Sequence, residues 1–254
     1  MFIYYTIVIF LFGICLGSFY NVVGYRLPKE ESLIYPASHC PKCNHKLGAS
    51  ELVPIFSYLF LGGKCKNCGD KISMFYPIFE LLTGILFVIS YWIFGLNIDF
   101  AISITFISIL LIVIISDYQT MIIPDEVLIF GAVTLIIEIF IKSGLKETLF
   151  AISYGIISFT IMFLLKKLGD FLFKKESMGG GDIKLMFLFG LVLGPYMSVI
   201  CIFLASFIGL PVSLIVLYKK KEHIIPFGPF LAISAIIITL TQININDIIN
   251  FLTI

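Results

Sequence analysis

Met178-Gly179-Gly180-Gly181-Asp182-Ile183-Lys184 sets an acidic residue behind three glycines at the mouth of an apolar segment. A carboxylate at the edge of a bilayer core is costly, so a partner and a purpose are to be sought for it. The partner expected is Asp117, which closes the apolar run 100–116 and opens the short loop 117–125. Two carboxylates held together, one protonated and one ionised, are the minimal equipment for activating water against a peptide bond.

The frame around these residues is apolar. Of 254 residues, 59% are hydrophobic and 13% charged, whereas an ordinary soluble domain has about a quarter of its residues charged. The chain therefore reads as an all-α polytopic membrane protein. Taking roughly 20 apolar residues as one crossing, eight spans are expected, near 2–25, 77–95, 100–116, 126–142, 148–165, 183–194, 196–218 and 224–241. The sixth is short, and either stops within the membrane or joins the next through a bend at Gly194-Pro195. Residues 1–27 have no basic start and no small-residue cleavage site, so they read as a retained first helix and not as a secretory signal.

Charge gives the orientation. Fifteen Lys and Arg fall on the side that carries 26–76, 166–184 and 219–221, against Lys142 and Lys146 on the other. By the positive-inside rule the first side is cytoplasmic, which puts Asp117 and Asp182 at the cytoplasmic face. Three domains follow: a first helix at 1–25, a cytoplasmic domain at 26–76 and a membrane-embedded domain at 77–254. The net charge of +1 says little about partners; membrane lipid is expected and no nucleic acid.

The loop 26–76 carries Cys40-Pro41-Lys42-Cys43 and Cys65-Lys66-Asn67-Cys68. Paired Cys-x-x-Cys knuckles are the ligand pattern of a tetrahedral structural zinc site. A disulfide reading is disfavoured in a reducing cytoplasm, and a domain of this size needs a metal to supplement its small core. His39 and His45 flank the first knuckle and read as surface histidines, while Cys15 and Cys201 read as small apolar core residues.

Asp182 can be a helix cap or a catalytic group, and the residues alone leave both open, although capping does not explain three glycines. Asp117 is the sharper anomaly, because the carboxyl end of a helix disfavours negative charge. Asp125 follows Pro124 at an ordinary helix start. Glu80 and Glu138 are the carboxylates well inside spans; Glu80 could face the active site and Glu138 could snorkel outward.

These residues carry a resemblance. Gly17-Ser18-Phe19-Tyr20-Asn21, Tyr35-Pro36-Ala37-Ser38-His39-Cys40, Glu51-Leu52-Val53-Pro54, Tyr76-Pro77 with Glu80, Asp117 with Ile123-Pro124-Asp125, Gly179-Gly180-Gly181-Asp182 and Ile225-Pro226-Phe227-Gly228-Pro229-Phe230 together resemble the type IV prepilin peptidases. The resemblance runs almost end to end. It implies a bifunctional enzyme of the bacterial cytoplasmic (inner) membrane. Such an enzyme cuts the basic leader from prepilins or pilin-like proteins just after a glycine. It then N-methylates the new terminus from S-adenosylmethionine. It also implies Asp117 and Asp182 as the water-activating pair and supports zinc on Cys40, Cys43, Cys65 and Cys68. No dinucleotide-type glycine loop is present, so no residues are assigned to the methyl donor. Two other classes compete. A carboxylate-dependent transporter would place its acids near the midplane in related halves, and no internal repeat is visible. A non-catalytic zinc-stabilised assembly factor would tolerate loss of either aspartate.

Overall fold

A computed structural model of the chain describes residues 1–220, 225–243 and 247. The long elements are all helices: α1 (Phe2–Arg26), the short α2 (Phe56–Phe60), α3 (Phe75–Phe94), α4 (Ile98–Thr120), α5 (Asp125–Phe173), α6 (Gly180–Lys220) and α7 (Gly228–Thr241). Five of these, α1, α3, α4, α5 and α6, are long and apolar enough to cross a membrane, and α7 is a shorter apolar helix. Lys221 and the expected start of the last span at 224 lie outside the described residues.

Two compact units form, Met1–Gly95 and Leu96–Ile254. In the first, α1 and α3 approach backbone to backbone. A Cβ on Gly13 would lie 2.8 Å from the Gly84 Cα, and one on Gly17 would lie 2.8 Å from the Glu80 Cα. Small residues one turn apart are what lets apolar helices associate when water cannot drive them together. Cys15, between those glycines, points outward and is exposed, contrary to the core position expected of it. With the contact face taken by Gly13 and Gly17, the residue between them turns away, and in an apolar solvent an exposed thiol costs little. Cys201 is buried, as expected.

In the second unit the two longest helices are not straight. Gly131 and Gly155 are about 36 Å apart along an ideal helix, yet they pack against the adjacent residues Leu188 and Phe187. The chain therefore doubles back between them, at Gly144, whose φ 76° and ψ −179° are non-helical. In α6, Asp182 and Gly209 would be about 40 Å apart on a straight rod. They nevertheless meet Gly228 and Phe230, two residues apart on α7. Here the reversal is at Gly194, with φ 77° and ψ 169°. Backbone of this kind is essentially restricted to glycine. The Gly194-Pro195 bend thus separates two helices. The segments 126–142, 148–165, 183–194 and 196–218 read from sequence correspond to the four arms of α5 and α6.

At the centre lie α4 and the first arm of α6. Phe106, Leu110, Leu111 and Val113 are fully enclosed, as are Leu185, Met186 and Phe189. The Phe106 and Phe189 rings meet edge to face at 5.8 Å. Glu138 does not snorkel outward: it accepts a hydrogen bond from the Thr105 hydroxyl at 2.8 Å, with Lys142 paired to Asp99 close by on the same two helices.

Candidate active site

Asp117 lies inside the last turn of α4, not beyond its end. The helix runs on through Thr120 because its final carbonyls find partners. Met121 closes it in the left-handed conformation and donates its N–H to the Asp117 carbonyl at 2.9 Å. The Thr120 hydroxyl donates to the Ser116 carbonyl at 2.9 Å, and the Ser116 hydroxyl donates to the Ile122 carbonyl. Asp182 is likewise inside its helix, the third residue of α6 and not the residue preceding it. Its carboxylate reaches back to the Gly179 N–H, the reciprocal half of a capping box. The capping interaction expected of an isolated Asp therefore exists, from a position one turn deeper.

Three contacts bring these helix ends together. A Cβ on Gly181 would meet the Ile123 Cβ at 2.8 Å, so only glycine lets α6 press against the loop that leaves α4. Lys184 grips both oxygens of Asp125 at 2.7 Å and ties the starts of α5 and α6. The third contact is Gly228, the first residue of α7, whose N–H is hydrogen-bonded to Asp117. A Cβ there would lie 2.5 Å from Oδ2 of Asp117 and 3.2 Å from Oδ1 of Asp182. One point is thus within reach of both carboxylates, and both side chains are buried, at 6% and 7% exposure.

The electrostatics follow from the helix ends. Asp182 sits at the positive amino end of α6, whereas Asp117 sits at the negative carboxyl end of α4. The amino end of α7, through Gly228, supplies the missing compensation for Asp117. A carboxyl pair around one point can take a proton from a water and give one to a carbonyl oxygen. From the sequence Gly228 enters only within the stretch 225–230 that helps to carry the resemblance, with no role of its own, because its place depends on the reversal of α6.

In the first unit the four cysteines converge. Their sulfurs all lie within 4.8 Å of one another and could hold a metal ion. The Cys40–Cys68 and Cys43–Cys65 separations are 3.8 and 3.9 Å. A tetrahedron with ~2.3 Å zinc–sulfur bonds has edges of about 3.8 Å. Each knuckle is built alike: Cys40 N–H donates to the His45 carbonyl and Asn44 N–H to Cys40, as Cys65 N–H donates to Asp70 and Gly69 N–H to Cys65. Asn44 and Gly69 both take the left-handed conformation this turn demands. The backbone around His45 and the Asn67 amide pull the Cys43 thiol down to about 6. At Cys68 the Asp70 backbone pulls the same way, but desolvation and the neighbouring sulfurs prevail and push it up to about 12. Four crowded sulfurs cannot all be thiolates without a cation among them. The histidines stay outside: His45 faces Glu51 at 3.2 Å and His39 turns to the Ala37 carbonyl.

Glu80, the other carboxylate of interest, is buried in the first unit. It accepts the Ile55 N–H at 2.7 Å and a hydrogen bond from Ser18.

Residues 11–94 match the family described as Bacterial Peptidase A24 N-terminal domain, and residues 104–214 match the Type IV leader peptidase family. The chain is 35% identical over 233 residues to the prepilin leader peptidase/N-methyltransferase of Bacillus subtilis, covering 91% of this chain and 92% of that protein. Similar matches are proteins of the same description from Neisseria gonorrhoeae, 33% identical with 89% and 87% covered, and Pseudomonas aeruginosa, 32% identical with 88% and 86% covered. No solved structure matches the chain.

Proposed function

The chain belongs to the prepilin leader peptidase/N-methyltransferase family, and from that premise we propose that it removes prepilin leaders by aspartate-activated water. The ionised carboxylate of the Asp117–Asp182 pair takes a proton from water as its oxygen attacks the scissile carbonyl. The protonated carboxyl gives its proton to the carbonyl oxygen, and collapse of the tetrahedral carbon returns a proton to the leaving amine. Gly228 keeps Asp117 in register and leaves the shared point free of a side chain. The observation that carries this reading is the convergence of both aspartates on Gly228.

The membrane setting rests on the apolar helices and on the Lys/Arg asymmetry, which together support a multi-pass protein of the bacterial cytoplasmic membrane cutting at the cytoplasmic face. Zinc on Cys40, Cys43, Cys65 and Cys68 would be structural, holding the two knuckles together. S-adenosylmethionine enters through the family's second activity and supplies the methyl group for the freed α-amine.

The test is cleavage of a pilin-like substrate by the purified enzyme in proteoliposomes with S-adenosylmethionine present. Mass spectrometry should find the mature chain shortened by its leader and bearing one methyl group. An uncut substrate with the native enzyme, or full cleavage by Asp117→Asn, would remove the proposed mechanism.

A further inference from the structure

The segment between the two zinc knuckles exposes a stripe of large apolar side chains. The stripe lies on α2, Phe56–Phe60, whose helical bonding runs on to Leu61, with Leu61 N–H donating to the Ser57 carbonyl at 3.0 Å. Phe56, Leu59 and Phe60 recur at the three- and four-residue spacing of one helical face and are exposed, Leu59 to 67% and Phe60 to 88%, and Leu52 before the helix is exposed as well. The opposite face is held by Tyr58, whose hydroxyl donates to the Ile72 carbonyl and whose ring lies against Gly63. Folding of the knuckle domain therefore leaves the apolar face pointing away from its own core.

Its depth is set by Glu80. This carboxylate is on α3, five residues in from Phe75, about 7.5 Å along the helix axis, and it holds the backbone N–H of Ile55 at 2.7 Å. Ile55 immediately precedes α2 and is held at φ 62°, a conformation that a β-branched residue does not take unaided. A strained residue pinned by a buried carboxylate fixes the start of α2 level with the first turns of α3. If α3 crosses the bilayer, that level is the boundary between headgroups and acyl chains. Met74, the cap of α3, and Ile78 and Leu81 in its first turns are exposed apolar residues like those of the stripe. Exposed Lys64 and Lys66 follow directly after it, where anionic headgroups would complement them.

We propose that residues 56–60 form an interfacial anchor, inserted shallowly into the leaflet from which α3 starts, with lipid as the partner of Phe56, Leu59 and Phe60. An amphipathic segment of this kind lies about 5–10 Å into the boundary region. The domain between the spans is thereby seated on the membrane at a fixed depth through Glu80. The inference rests on the membrane reading of α3, and the experiment separates the two.

Trp92 is the chain's single tryptophan, so Trp92→Phe gives a silent background for Phe60→Trp, Leu59→Trp and, as a reference on α3, Ile85→Trp. The full-length variants are reconstituted in vesicles of phosphatidylethanolamine and phosphatidylglycerol carrying a quencher either near the glycerol backbone or near the acyl-chain end. Tryptophans at 59 and 60 should be quenched severalfold more by the shallow label than by the deep one and be shielded from aqueous acrylamide, while Ile85→Trp should favour the deep label. Strong acrylamide quenching at 59 and 60 would overturn the anchor and leave the stripe as a water-facing surface for a protein such as the substrate. Protection from all three quenchers would overturn it in favour of a second copy or another protein covering the stripe. Loss of deep quenching at 85 would refute the membrane reading itself.

Discussion

Asp117 and Asp182 approach one point from helix ends of opposite polarity, and a Cβ added at Gly228 would touch both. In the proposed mechanism each carboxylate handles a proton that water or the leaving group cannot manage alone, so Asp117→Asn and Asp182→Asn should each lower prepilin cleavage by about 10²–10⁴-fold. Leader removal scored by mass, with the protein still present in the membrane fraction, is the check. Gly228→Ala should lower cleavage nearly as far without loss of folding, since its added methyl would press on the Asp117 carboxylate at 2.5 Å; unchanged turnover in that variant would mean that the pair has room to part. Asp125→Asn should keep most activity, because its ion pair with Lys184 is half exposed and such pairs contribute about 0–1 kcal/mol. The two aspartates were legible in the sequence because a charge at the edge of an apolar run demands an explanation. The role of Gly228 was not, although the stretch 225–230 helped to carry the resemblance, because nothing local distinguishes a glycine that starts a helix from one that lies against two carboxylates.

Gly144 and Gly194 decide how the second unit is built, since each turns one apparent rod into two packed arms. Replacing either by Ala forces a Cβ into a conformation that costs roughly 1–3 kcal/mol. Both variants should therefore lower the thermal midpoint in detergent, Gly194→Ala with the larger loss of cleavage because the second arm of α6 receives Phe230 of α7 at Gly209. The breaks read between 142 and 148 and at Gly194-Pro195 fall where these reversals lie, because the apolar runs are interrupted there. The helix ends were less legible. Polar residues after Ser116 read as loop, yet hydroxyl-to-carbonyl bonds at Ser116 and Thr120 carry α4 onward past Asp117. The convergence of the four cysteines was legible, because metal-ligand spacing is written locally. If a zinc ion occupies them, chelation or any single Cys→Ser change should release about one zinc per chain and open residues 26–76 to protease, with helical circular dichroism of the membrane arms retained. Zinc content by atomic emission, read against that proteolysis, tests the link between metal and loop.

At the scale of the whole molecule, the boundary at Gly95–Leu96 between the compact units coincides with the gap between the two matched families, 11–94 and 104–214. Asp117, Asp182 and Gly228 all belong to the second unit. The family's two activities must nevertheless run in order, because only cleavage frees the α-amine that accepts the methyl group. That amine attacks the methyl carbon only when unprotonated, and a free α-amine titrates near pH ~8. Methylation of a precleaved pilin should therefore rise as pH increases through that region. Cleavage has the opposite requirement, since one carboxyl of the pair must keep its proton, and it should fall at high pH. Asp117→Asn and Asp182→Asn should block both modifications of an intact precursor while methylating a precleaved pilin at the native rate. Product masses from the two substrates across a pH series distinguish the steps. If the aspartate variants failed on precleaved pilin, the methyl-transfer step would depend on the same two side chains as cleavage.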